Sequence, residues 1–127
     1  MTKEIDEHGT IRYYNEQGQL HREDGPAIEW ADGDRAWYQH GQYHREDGPA
    51  FKGAHGDKYW YINGKQHRAD GPAVERVNGG KQWLLNGQYH REDGPAIEYA
   101  DGRKEYWMNG KLIEEVSELD NWSNENE

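Results

Sequence analysis

Four histidines, His21, His44, His67 and His90, stand 23 residues apart, and each opens the string His-Arg-x-Asp-Gly-Pro-Ala. Histidine in series suggests metal ligation. In a sheet, however, equivalent residues two strands apart lie roughly 9–10 Å from each other, about twice the ~4.8 Å strand spacing. Zinc needs its nitrogens at about 2.0–2.1 Å from one ion. Neighbouring members of this series therefore cannot share a metal, and His40 and His55 do not alter that. No metal site and no cofactor are expected.

The arginines behind them, Arg22, Arg45, Arg68 and Arg91, form a second series, and arginine grips phosphates well. Yet each is followed two residues on by Asp24, Asp47, Asp70 or Asp93, and three copies add Glu23, Glu46 or Glu92. Each motif is neutral or net negative. One reading is an internal Arg–Asp clamp that fixes a turn, with partly buried aspartates accepting backbone N–H groups. The other is a row of ligand-binding arginines. Catalysis would need one asymmetric constellation. The chain has no cysteine, its serines Ser117 and Ser123 lie in an acidic tail, and its His and Asp residues are repeated rather than singular. The reading is that it is not an enzyme, with no catalytic residues.

The elements that carry these residues follow from the same period. Gly33, Gly56, Gly79 and Gly102 keep it, as do Gly18, Gly41, Gly64, Gly87 and Gly110. The copies fall near 21–43, 44–66, 67–89 and 90–112, with a partial leading copy near 9–20 that carries one extra residue close to Asn15. Residues 1–112 form a single β-repeat domain, and 113–127 an acidic C-terminal cap or tail. Asn63-Gly64, Asn86-Gly87 and Asn109-Gly110 are strong hairpin signals because both residues tolerate positive φ; His40-Gly41 is a weaker version. Pro26, Pro49, Pro72 and Pro95 cannot donate to a ladder and belong at strand starts. The glycine before each is expected in an extended or glycine-only conformation. Antiparallel strands are predicted near 26–31, 35–39, 49–53, 58–62, 72–77, 81–85, 95–99 and 103–108.

Hydrophobic residues make up only 32% of the chain, with a mean hydropathy of −1.40. Six Trp and nine Tyr nonetheless argue against disorder. The two facts fit a thin core in which a few large rings supply much of the buried area. Ile28, Phe51, Val74 and Ile97 form one apolar column. Trp37, Trp60, Trp83 and Tyr106 form another, and Tyr38, Tyr61, Leu84 and Trp107 a third. Ala27, Ala50, Ala73 and Ala96 are always small, so something packs closely over them. The uniform Trp column suits packing. The variable column of Tyr38, Tyr61, Leu84 and Trp107 is the candidate open binding face, unless both columns are core.

The formal net charge is −10, and Glu114, Glu115, Glu118, Asp120, Glu125 and Glu127 concentrate it in the tail. Such a chain is a poor non-specific partner for nucleic acid or anionic lipid. The N-terminus has no apolar run resembling a signal peptide, and nothing approaches a membrane span. Without cysteine a reducing, cytoplasmic setting is expected. Leu112, Val116, Leu119 and Trp122 recur at helical spacing, which predicts a short amphipathic helix. Its role as a cap, a partner-binding helix or a frayed tail stays open.

The 23-residue period, the Asn-Gly turns and the aromatic before each turn resemble MORN repeats. Trp60-Tyr61-Ile62-Asn63-Gly64-Lys65-Gln66-His67 with Asn78-Gly79, and the strand ends Ala31-Asp32-Gly33 and Ala100-Asp101-Gly102, carry the resemblance. The departure is Arg-x-Asp-Gly-Pro-Ala, where the family has small residues around Gly-x-Gly. The His-Arg-x-Asp-Gly-Pro string is also similar to repeat proteins of bacteriophage genomes. The resemblance implies an all-β, elongated, twisted antiparallel meander of four to five hairpins, with a short C-terminal helix or tail. It implies protein or lipid contact and no enzyme activity. The expected function is a non-catalytic protein-binding module, with a phage-encoded inhibitor of a host defence enzyme as its sharpest form. The alternative is a small-molecule or lipid-head-group binder that uses Arg22, Arg45, Arg68, Arg91 and the aromatic columns.

Overall fold

The computed structural model describes residues 1–117. The leading copy contributes β1 (Thr2–Ile5) and β2 (Ile11–Tyr14). The next contributes β3 (Ile28–Glu29), β4 (Arg35–Ala36), β5 (Tyr38–Gln39) and β6 (Gln42–Tyr43). β7 (Phe51–Lys52), β8 (Lys58–Tyr59), β9 (Tyr61–Ile62) and β10 (Lys65–Gln66) repeat the pattern. So do β11 (Val74–Glu75), β12 (Lys81–Gln82), β13 (Leu84–Leu85) and β14 (Gln88–Tyr89). The last copy has β15 (Ile97–Glu98), β16 (Lys104–Met108) and β17 (Lys111–Val116). Two strands of each copy, and three of the last, enter one 11-stranded antiparallel sheet, ordered β1-β2-β3-β4-β7-β8-β11-β12-β15-β16-β17. The pairs β5-β6, β9-β10 and β13-β14 stand apart as two-stranded hairpins. The protein is thus an all-β meander of repeated hairpins.

The expected strands 35–39, 58–62 and 81–85 are each two strands, broken at Trp37, Trp60 and Trp83. The hydrogen bonds explain the break. The N–H of Trp60 donates at 2.7 Å to the O of Ala73, just before β11, while its C=O accepts from His67 N at 3.0 Å, just past its own hairpin. The tryptophan is where the chain leaves one ladder for another. Residues 63 and 64 then turn with φ of 48° and 80°, the left-handed pair that a two-residue type I′ hairpin requires.

Successive hairpins are bound to one another. Gly64 N donates to Tyr43 O, and Gly87 N to Gln66 O, at 2.9 and 2.8 Å. The histidines add a side-chain link: Nδ1 of His21, His44, His67 and His90 accepts the backbone N–H of His40, Asn63, Asn86 and Asn109 at 2.9–3.0 Å. Only a neutral ring offers that lone pair. The histidine series is a staple from the end of one hairpin to the turn of the next.

The core is one residue deep. Ala27, Ala36, Ala50, Ala73 and Ala96 are fully buried, and Ile28, Val74 and Ile97 nearly so. At the N-terminal end the sheet reaches back to Thr2: β1 pairs with β2 from Thr2↔Tyr14 to Ile5↔Ile11. The leading copy therefore holds a whole main-sheet hairpin, ahead of the start near residue 9 read from the glycines. At the other end, the helical spacing of Leu112 and Val116 is overturned, because both lie in β17. β17 runs antiparallel to β16, with Lys104↔Val116 and Glu105↔Glu115 in register. Internal copies use the matching positions to receive the next copy, as in Lys81↔Glu98 and Gln82↔Ile97. β17 thus takes, beside β16, the place that the following copy takes beside an internal hairpin. Leu119 and Trp122 lie outside the described residues.

Candidate binding face

The Arg-x-Asp-Gly-Pro segments build the loop side of the array. In the third copy Arg68 Nε donates to Asp70 Oδ1 at 3.2 Å, and its Nη1 donates to Pro72 O at 3.1 Å. Its Cζ lies 3.9 Å from the Trp60 ring centroid, a cation–π contact. The other guanidinium face meets Gly71, where a Cβ would lie only 2.9 Å from Cζ. The glycine before each proline is therefore needed for this close approach and not for a left-handed φ. Arg22, Arg45 and Arg91 repeat the sandwich on Tyr13, Trp37 and Trp83 at 4.1, 3.9 and 3.8 Å. All four are clamps that hold the loop against the ring.

The aspartates are less embedded than the clamp reading expected. The Asp47 side chain is 88% exposed while that of Arg45 is 23% exposed. An exposed carboxylate gains little from its partner, typically about 0–1 kcal/mol. Asp47→Ala should therefore shift the urea midpoint by less than about 1 kcal/mol of stability, because Arg45 keeps Pro49 O and Trp37. A larger loss would mean that the carboxylate organises the loop.

The variable aromatic column lies largely between hairpins. Tyr38 stacks on Tyr43 at 4.4 Å, and Tyr43 on Tyr61 at 4.6 Å. Burial pushes the Tyr38 and Tyr61 hydroxyls above the usual tyrosine range. Leu84 is buried in a cluster with Ala73 and Val74. Trp107 is half-buried beside Tyr89 at 5.1 Å and donates its indole N–H to Glu105. The structure thus joins Tyr38 and Tyr61 into one stack and puts Leu84 in the core.

Accessible concave surface lies instead between successive loops. Three equivalent grooves of 610, 730 and 670 Å³ follow one another, with floors of Trp37 and Gln39, Trp60 and Ile62, and Trp83 and Leu85. Their rims carry Glu23, Asp24, Glu46, Asp47, Asp70, Glu92 and Asp93. Gln39, Ile62 and Leu85 were not singled out from the sequence. Their signal is a varying column two residues beyond the Trp position.

These features define a tandem β-hairpin repeat protein whose loop side offers the same groove in register three times. No protein-family model and no curated protein sequence matches the chain. Among the described residues no helix is long and apolar enough to cross a membrane.

Proposed function

We propose that this MORN-like array is a non-catalytic protein-binding module, and that its loop side receives the partner across successive grooves. The observation that carries the reading is the threefold recurrence of one open groove with an indole floor and a carboxylate rim. Repeat proteins bind across faces of this kind, because each copy offers a small patch and several together give area. The copies repeat every two strands, about 9.6 Å. The rim chemistry favours a partner that presents basic side chains along an extended segment. The similarity of the His-Arg-x-Asp-Gly-Pro string to phage repeat proteins makes a host enzyme the partner class of choice.

The test is capture from the lysate of the native cell with the wild type and with an E46K/E92K double variant. Both glutamates project into solvent, 83% and 80% exposed, so the melting temperature should stay within about 2 °C, as expected for exposed sites. Specific capture by the wild type, lost in the variant, supports the loop side. Equal capture by both moves the site elsewhere.

A further inference from the structure

The face of the main sheet beside the clamps carries a row of charges that keeps the repeat everywhere but once. Cross-strand pairing puts Glu29, Arg35, Lys52, Lys58, Glu75, Lys81, Glu98 and Lys104 on one face in that order. In three copies a glutamate sits beside the cation of its own hairpin: Glu29 with Arg35, Glu75 with Lys81, and Glu98 with Lys104. In the remaining copy that glutamate is Lys52. The result is three cations on adjacent strands, with Arg35 directly opposite Lys52 and Lys52 directly opposite Lys58. Like charges in direct cross-strand pairs cost the fold stability.

Carboxylates lie only at the two ends of this row of three, Glu29 beside Arg35 and Glu75 opposite Lys58. Lys52 and Lys58 are exposed, and among the described residues neither ammonium has an ion pair. Arg35 has a loose contact with Glu29 at 3.7 Å. The clamp of this copy is altered as well. Arg22, Arg68 and Arg91 each turn a nitrogen toward the row glutamate, at 3.6, 3.3 and 3.0 Å. Arg45 has Lys52 in that place and, among the described residues, donates to Asp47 and Pro49 O while stacking on Trp37. The hairpin tip changes in the same sense: His55 stands where the other copies have Asp32, Asn78 and Asp101.

We propose that Arg35, Lys52 and Lys58, with Arg45 behind them, form a binding site for a compact polyphosphate group. Adjacent strands lie about 4.8 Å apart, so the three charges span about 10 Å. A chain of two or three linked phosphates covers a comparable length and offers oxygens to each cation. Glu29 and Glu75 bound the site on either side, so a long polyanion that needs many successive contacts meets carboxylates beyond the triad. The site shares only Arg45 with the loop-side grooves, and the E46K/E92K variant leaves all four of its cations in place.

The experiment is titration calorimetry with inorganic tripolyphosphate at about 0.15 M salt, where the Debye length of about 8 Å removes long-range effects. The wild type should bind saturably. K52E restores the residue of the other copies and should weaken binding at least about tenfold while raising the melting temperature, because a repulsive contact becomes an attractive one. K81E makes the same charge change outside the triad and should leave affinity within about twofold. A parallel arm uses phosphatidylcholine vesicles containing phosphatidylinositol bisphosphate. Lys52-dependent vesicle uptake assigns the site to a lipid headgroup, and tripolyphosphate binding without uptake assigns it to a free polyphosphate. No saturable binding of either probe overturns the proposal, as does equal weakening by K52E and K81E or unchanged binding by K52E.

Discussion

Trp60→Ala is expected to cost about 3–5 kcal/mol, the range for removing a large ring from a packed site, and to lower the urea midpoint accordingly. Trp60 packs against the cluster of Ala73, Val74 and Leu84 and lies under the Arg68 guanidinium. Its backbone joins two ladders, so losing the ring loosens both the main sheet and the β9-β10 hairpin. Total stability is typically about 5–15 kcal/mol, so one such substitution removes much of it. Urea melts followed by circular dichroism and by the remaining tryptophans should show the loss with both probes. A change below about 1 kcal/mol, the range of ordinary surface substitutions, would mean that Trp60 serves a ligand and not the fold.

Arg68→Ala should cost about 2–4 kcal/mol, the sum expected from a desolvated cation–π contact and charge-assisted hydrogen bonds. The side chain is 24% exposed and covers the Trp60 ring with its planar face. Removing it strips the Pro72 carbonyl of its side-chain donor and opens a gap between Gly71 and the indole. Arg68→Lys should recover less than half of the loss, because an ammonium can neither stack flat nor fork between Asp70 and Pro72. Full rescue by lysine would reduce the clamp to a point charge. The comparison with Asp47→Ala separates the two halves of the motif: the arginine is structural and the aspartate mostly solvent-facing.

The repeat, the hairpin turns and the shallow core were legible because each leaves a local mark. Asn63-Gly64 marks a left-handed pair, and invariant Ala50 and Ala73 mark a surface under close cover. The break at Trp60 left none. Tyr59-Trp60-Tyr61-Ile62 has the composition of one continuous strand, and the switch of ladder depends on partners in the next copy. The C-terminal segment misled for a different reason. Leu112 and Val116 are four apart, which suits one helical face, but a bulge in β17 puts them opposite Trp107 and Lys104, on different faces of the strand. The vacancy beside β16 decides for the strand. β1 was missed because Thr2-Lys3-Glu4-Ile5 shares no landmark with the later copies. The clamp was visible as Arg-x-Asp-Gly, but the indole under the guanidinium was not, because Trp60 lies upstream, between β8 and β9, and the contact depends on the fold. Lys52 was in plain view as a departure from its column. It gained meaning only when the register put Arg35 and Lys58 on either side.

The edge position of β17 has a consequence for how such a protein changes over generations. The hydrogen bonds that join copies run between immediate neighbours, as from Gly64 to Tyr43 and from Trp60 to Ala73, and β17 pairs with β16 of the last copy. Duplicating one 23-residue unit in the gene would therefore insert a finished segment with its own staple, clamp and groove. The face would lengthen by about 9.6 Å, two strand spacings, and the terminus would follow unchanged. Copy number acts as a ruler: the sheet and its row of loops can lengthen by recombination alone, without redesigning a core.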